Sequence, residues 1–400
     1  MNTKQFSAHN KSEILLILKD LAQIEANLIL VFSDKSYLAD QEIESELKKV
    51  ARDIPFLGCS TSGGIMGAAL LDSAFTINFI QFEHTIVKKA SVSFSETGES
   101  MQAGKELAEA LMAPDLTHIF VLSDGCAING SRLVEGINSV ITHEVTVSGG
   151  LAGDNNDFNY TLVSDQDNAF KKNVVSAVGL YGNRVRIHCG AFGGWQDFGI
   201  ERTITKSIEN IVYEIDNKPA LELYKTYLGE KAKDLPASGL LFPLSLQQDD
   251  QKEPLVRTIL NINAEEKSLI FAGNIPQGSK VKLMKTGSDN LINQFEIDEK
   301  MSEFKNTDEE NGLVIMISCI GRKLVMKQLT QEEIEAVTER FTSKFKFTGF
   351  YSYGEIFTNT KNRVYSQVTD AHAISQPIVF QHGDCVLNNQ SMTITSIIEF

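Results

Sequence analysis

The chain has 400 residues, 42% of them hydrophobic, and a formal net charge of −15. That length supports two or three packed cores, and the charge disfavours a phosphate backbone or an anionic membrane as partner. No run of about 18 apolar residues occurs, so no membrane-spanning helix is expected. Five widely spaced cysteines without a C-x-x-C fit reduced thiols in a cytoplasmic protein better than a disulfide framework or a zinc site.

At the N-terminus Lys19 and Asp20 interrupt the apolar run early, unlike a signal-peptide core. Residues 1–25 are expected to form an N-terminal helix. Residues 28–34, LILVFSD, read as a buried strand ending in Ser-Asp. Ile43, Leu47 and Val50 follow at helical spacing. PFLGCSTSGGI at 55–65 reads as a strand and a Gly-rich turn, and 74–94 as two further strands. Ninety residues on, the order repeats: HIFVLSD at 118–124, then Leu133, Ile137 and Val140 on a helix face, then VTVSGGLAGD at 145–154 and two strands over 173–192.

The middle of the chain differs. TITKSIENIVYEID at 203–216 reads as strand, and PALELYKTYLG at 219–229 as a helix with Pro219 at its first turn and Gly229 at its end. More strands follow around a turn at 273–279. A third copy then appears: LVIMISC at 313–319, a helix face at Ile334, Val337 and Phe341, FTGFYSYGEI at 347–356, and an alternating stretch to residue 400. The expected fold class is α/β: mixed β-sheets with packed helices, built from repeated strand-helix-strand-hairpin units.

The Gly turns end buried strands, where ligands of open α/β sheets collect. They carry Gly58, Cys59, Ser60 and Thr61, then Gly149, Gly150 and Asp154, then Tyr353 and Glu355. Tight turns alone need only the glycines; the polar residues favour a ligand site. Asp124 and Asn129 either cap the following helix or wall the same pocket. The phosphate loop, G-x-G-x-x-G, G-x-S-x-G and H-E-x-x-H patterns are absent. Cys59 or Cys126 paired with a distant histidine is the remaining nucleophile arrangement, against the commoner role of a buried cysteine as a small apolar residue. His188 and His382 are the two histidines weighed as single axial haem ligands, a role that needs no spacing motif.

The order GCSTSGG, SDGCAINGS, VSGGLAGDN, GWQDFG with ITKS, ALELY, FAGNIPQGS, GFYSYGEI and NNQSMT resembles the FIST domain with its C-terminal companion, over residues 26 to 400. The family's last motif usually starts with His; here Asn388 stands there and keeps only hydrogen bonding. The resemblance implies a FIST N-terminal domain over 26–220 and a C-terminal domain over 221–400. It implies a cytoplasmic sensor of bacterial signal transduction that binds a small ligand. A stand-alone subgroup of this length is similar to haem proteins that sense nitric oxide and regulate a histidine kinase. Haem is therefore expected from the resemblance alone, with a haem-free binder of an amino-acid-like metabolite as the alternative and a Cys- or Ser-dependent hydrolase behind both. The four segments 58–64, 123–130, 149–155 and 351–355 are expected to frame one pocket.

Overall fold

The computed structural model describes all residues except 22, 143, 156, 248–254, 298–310 and 359–383. Its core is built from one unit used three times. The first unit is β1 (Asn2–Ala8), α1 (Lys11–Leu21), β2 (Leu28–Ser33), the short α2 (Lys35–Leu38), α3 (Gln41–Ala51), β3 (Phe56–Ser60), the hairpin β4 (Gly64–Met66) and β5 (Ala69–Leu71), and β6 (Phe75–Gln81). The second is β7 (Ile86–Ser93), α4 (Ser100–Leu111), β8 (Leu116–Ser123), α5 (Gly130–Asn138), β9 (Thr146–Leu151), β10 (Val163–Ser164) and β11 (Phe170–Lys171), and β12 (Val174–Tyr181).

The third unit opens with β13 (Val185–Phe192) and is interrupted by an insert. The insert holds β14 (Gln196–Ile208), β15 (Ile211–Ile215), β16 (Lys218–Pro219), α6 (Ala220–Leu228), β17 (Leu244–Gln247), β18 (Leu255–Arg257), β19 (Ile259–Asn263), β20 (Ser268–Phe271) and β21 (Lys280–Lys285). The unit then resumes with α7 (Ser288–Ile297), β22 (Gly312–Cys319), α8 (Ile320–Met326), α9 (Thr330–Thr338), β23 (Phe345–Ser352), β24 (Gly354–Thr358), β25 (Cys385–Asn388) and β26 (Met392–Glu399).

Each unit makes a six-stranded sheet but borrows its hairpin. The orders are β1-β6-β2-β3-β10-β11, β7-β12-β8-β9-β24-β25 and β13-β26-β22-β23-β4-β5. Unit 1 thus takes the hairpin of unit 2, unit 2 that of unit 3, and unit 3 that of unit 1. The central pairs β2/β3, β8/β9 and β22/β23 are parallel and joined through helices, as such crossovers require.

Alternation along the strands explains the layers. Leu28, Leu30 and Phe32 of β2 face a core shared with Phe120, Leu122, Ile315, Ile317 and Phe350 from the other two sheets. Phe32 and Phe350 meet there with ring centroids 4.9 Å apart. Ile29 and Val31 face outward, under α1 and α3. Both faces of β2 are covered, which is why the strand is apolar throughout rather than alternating. On α3, Asp40 caps the N-terminus by accepting from Glu42 N and Ile43 N, and Ile43, Leu47 and Val50 pack inward, the stripe expected from their spacing.

Two expectations change. Residues 1–25 are not helix alone, because β1 precedes α1 and pairs antiparallel with β6 from Asn2 to Ala8. The strand runs at 74–94 and 173–192 do not stay together as terminal pairs: β6 and β12 close one unit's sheet, and β7 and β13 open the next. A sequence repeat registers the order of strands and says little about which sheet each one joins.

Candidate functional site

The glycines read as turn formers lie mostly within strands. Gly58 of β3 sits opposite Val31, Gly149 of β9 opposite Val121, and Gly349 of β23 opposite Met316, the same register in all three units. A Cβ at Gly58 would lie 2.9 Å from the Val31 carbonyl oxygen, and at Gly149 and Gly349 it would lie 1.8 Å from those of Val121 and Met316. The glycine is required by close strand approach and not by a turn.

One or two residues past each strand the chain crosses to a neighbouring sheet, and the three crossings meet. Gly153 N donates to Ser60 O at 3.0 Å, Ser62 N to Tyr351 O at 2.9 Å, and Tyr353 N to Leu151 O at 3.2 Å. These equivalent bonds run in a ring through all three units. Segments 58–64, 149–155 and 351–355 therefore converge as expected, and Ala152 N bonds Ser123 O at 2.8 Å, bringing in 123–130.

Much of this convergence is filled by its own polar groups. Asp154, fully buried, accepts from Phe158 N (3.0 Å), Asn159 N (3.0 Å) and Tyr160 N (3.1 Å), pairs with Lys35 Nζ at 3.1 Å and accepts the Tyr353 hydroxyl. Phe158 stacks on Tyr353 with centroids 4.4 Å apart. Ser60 Oγ accepts from Leu162 N at 3.0 Å, and Thr61 Oγ1 accepts from Gly63 N at 3.3 Å. Asp124 accepts from Cys126 N and Ala127 N at 2.8 Å and from Asn173 N at 3.0 Å, so it orders its loop, while Asn129 caps α5 through Arg132 N. The helix cap expected of these residues falls to Asn129, and Asp124 does not cap α5.

Neither cysteine is poised as a thiolate. Cys59 is buried in β3, and burial pushes its thiol well above the ordinary value. Cys126 is exposed on its loop; desolvation around its sulfur, with the carboxylates of Asp154 and Asp124, pushes the thiol up to about 12.

A second group of predicted residues lies deeper, against the insert. Glu355 of β24 sits opposite Gly150 and Asn388. It is fully buried, accepts from Ser352 Oγ at 2.7 Å and from Ser391 Oγ at 2.9 Å, and receives Ser391 N at 3.2 Å. Burial pushes it up to about 8, against the opposing pull of these donors. Beside it the turn from Asn388 to Ser391 joins β25 to β26. Gln390 adopts φ 62°, donates through Nε2 to Leu240 O at 2.7 Å, and accepts through its carbonyl from Trp195 Nε1 at 2.9 Å. Asn389 is fully buried and neither of its amide atoms has a partner among the described residues; Asn388 Oδ1 and Gln390 Oε1 are also unpartnered. Asn129 Nδ2 reaches the insert at Asn274 Oδ1, 2.9 Å away.

Sequence reasoning passed over this turn, although NNQSMT was among its motifs. It weighed Asn388 only as a replacement for histidine. It also missed Arg257 and Arg322, which carry no local signal.

Of the haem candidates, His188 lies half-buried on β13 opposite Ser396, and His382 falls outside the described residues. His118, fully buried, has Thr146 Oγ1 at 2.8 Å from one ring nitrogen and Ser148 Oγ at 3.0 Å from the other. A small apolar cleft of about 70 Å³ in the insert, lined by Phe198, Leu223, Tyr224, Tyr227, Val281 and Leu283 among others, has no histidine in its wall. No group of three or more metal-binding side chains occurs among the described residues, and no described helix is long and apolar enough to cross a membrane.

The FIST N domain model matches residues 27–218 and the FIST C domain model residues 220–358. An uncharacterized protein of Methanocaldococcus jannaschii is similar, 23% identical over 385 residues that cover 86% of this chain and 72% of the relative. The first match takes in unit 1 from β2 onward, unit 2, and the opening of unit 3 with β14 and β15, and the second takes in the rest of the insert and the crossing at Tyr353. With both domains in sequence, the chain belongs to the FIST-domain family, whose domains are sensory modules of signal transduction.

Proposed function

We propose that this chain senses a small polar molecule bound between the insert and the three-sheet core, and that binding is haem-free. The observation that supports this is the set of unpartnered polar atoms at Asn388, Asn389 and Gln390, buried beside a Glu355 carboxyl raised to about 8. Native interiors leave few such groups unsatisfied. A molecule with its own donors and acceptors would satisfy them and bridge two bodies of the protein, so that occupancy alters how they sit together.

The test is calorimetric and thermal-shift titration of the full chain with a broad set of charged and neutral polar metabolites. Saturable heat from at least one of them, weakened by Asn389→Ala, is expected. Absence of binding across the whole set would sink the reading.

The finer reading implied by the family resemblance is nitric oxide sensing by haem, with a histidine kinase as output. Two places among the described residues offer haem no ligand. His118 has both ring nitrogens committed, and the insert cleft offers no histidine. His188 is half-buried on β13, opposite Ser396 and flanked across the strand pair by Ile394 and Ile398, so it stays the histidine to test. A Soret band formed on haem addition and lost in His188→Ala would overturn the haem-free reading. A kinase partner with a basic face suits the charge of −15, and kinase autophosphorylation with and without this chain measures that output.

A further inference from the structure

Arg257, at the end of β18, is 4% exposed. Its partners are backbone carbonyls: Nε donates to Asn274 O at 3.2 Å, and Nη1 to Val256 O at 3.2 Å and to Leu387 O at 3.0 Å. Among the described residues no carboxylate pairs with it and no acceptor meets Nη2; burial alone pushes its guanidinium down to about 10. Arg322, also fully buried, has Glu333 as counter-charge. A buried cation without one is costly, and it is retained where something else supplies the negative charge.

The surroundings of Arg257 offer further unused contacts. Leu387, which it holds, leads directly into the Asn388–Ser391 turn with its unpartnered Asn389. The hydroxyls of Thr258 and Ser238, 2% and 5% exposed, are unpartnered as well. Ser238 lies on the segment that carries Leu240 O, the acceptor of Gln390 Nε2. On the same segment, a Cβ at Gly239 would lie 3.1 Å from Ile259. One positive charge and the unpartnered amide of Asn389 thus lie on either side of Leu387 and Asn388, where the insert meets the third unit.

We propose that Arg257 and the Asn388–Ser391 turn together receive a small monocarboxylate, its carboxylate on Arg257 and its adjacent polar group on Asn389. This rests on the sensory reading above and names the ligand class. A single guanidinium balances a single charge, and a planar carboxylate matches its fork. A phosphate dianion would leave a second charge uncompensated near Glu355.

The site has a built-in reporter. Trp195 is the sequence's single tryptophan, and its Nε1 donates to Gln390 O. It follows Gly193 and Gly194, which join β13 to the insert, and Arg322 Nη1 bonds Gly193 O.

The full chain is titrated with L-alanine, propionate, propionamide and inorganic phosphate, following Trp195 emission and heat. Saturable change is expected with L-alanine or propionate, with propionamide and phosphate at least tenfold weaker. Arg257→Lys should weaken the carboxylate at least tenfold. Because Arg257 also holds three carbonyls, Asn389→Ala is the control for folding: its side chain makes no hydrogen bond to lose, so melting temperature should change little while carboxylate affinity falls. Propionamide binding as tightly as propionate, or unchanged carboxylate affinity in both variants, would overturn the assignment and leave a sensor of neutral ligands standing. No saturable response to either carboxylate would also overturn it, with ordered water as the occupant, and the broader metabolite titration then decides the sensory reading by itself.

Discussion

The guanidinium of Arg322 and the carboxylate of Glu333 face each other with neither side chain reached by solvent. Glu333 also accepts from Ser318 Oγ and from Tyr351 OH, both at 3.0 Å, and Arg322 Nη2 donates to Leu291 O at 3.1 Å. The pair ties α7, α8, α9, β22 and β23 to one point. Removing one partner leaves an uncompensated buried charge, so Glu333→Ala should cost about 3–5 kcal/mol. Urea unfolding read by Trp195 fluorescence checks this; a loss below about 1 kcal/mol would show the pair to be dispensable.

The sequence places Asp154 among the ligand-site candidates of the Gly turns. Its geometry points the other way. The carboxylate is the common acceptor for three successive loop amides, Lys35 and Tyr353. Asp154→Ala should lower stability by about 3 kcal/mol through unsatisfied buried donors, with carboxylate affinity in the surviving fold changed less than threefold. Paired denaturation and titration of this variant decide between the two roles.

Glu355 should make stability fall with rising pH. Its folded value, about 8, lies above the ordinary carboxyl value near 4.3. Between those two the unfolded chain has lost the proton and the folded chain has kept it, so the contribution is full below about pH 4 and declines as pH rises toward 8. The slope in that window approaches about 1.4 kcal/mol per pH unit for one group. Glu355→Gln should flatten that part of the profile and gain stability at pH 8 relative to wild type. An unchanged slope in the variant would assign the pH dependence to other groups.

Glu399 behaves with the opposite sign. Burial works to raise it, yet the amides of Glu83, His84 and Thr85 and the Thr85 hydroxyl outweigh burial and hold it at about 2. Its contribution is present above about pH 4.3 and is lost as pH falls toward 2. Glu399→Gln should be less stable than wild type at pH 7 and converge with it near pH 2, as measured by thermal unfolding across that range.

Gly149 leaves no room for a methyl group, since its Cβ would sit 1.8 Å from the Val121 carbonyl oxygen. Gly149→Ala should push β8 and β9 apart and prevent soluble accumulation, whereas Gly278→Ala, at a turn with open space around it, should cost about 1 kcal/mol through its φ of 91° alone. Solubility on expression separates the two.

Three strand-helix-strand modules were legible because buried parallel strands and their covering helices leave periodic patterns, as at Leu28–Ser33 and at Ile43, Leu47 and Val50. The borrowed hairpins were not legible, because β4 and β5 look the same whichever sheet they join. The convergence of 58–64, 149–155 and 351–355 was foreseen from glycine and polar content, while the reason for the glycines, strand approach at Val31 and Val121, depends on partners 27 and 28 residues away. Arg257 was out of reach: nothing near it in sequence marks a cation that folding will enclose without a carboxylate.

Trading hairpins has a consequence for anyone who would cut this chain at its family boundary. A fragment ending near residue 219 keeps β4 and β5 but loses β23, the strand they attach to, and leaves β9 without β24. Both scars are unsatisfied sheet borders of the kind that recruit other chains. The two halves named by the family models are thus expected to clump when made separately and to assemble into a soluble two-chain complex when co-expressed, as interlocked rings hold only while every link is closed.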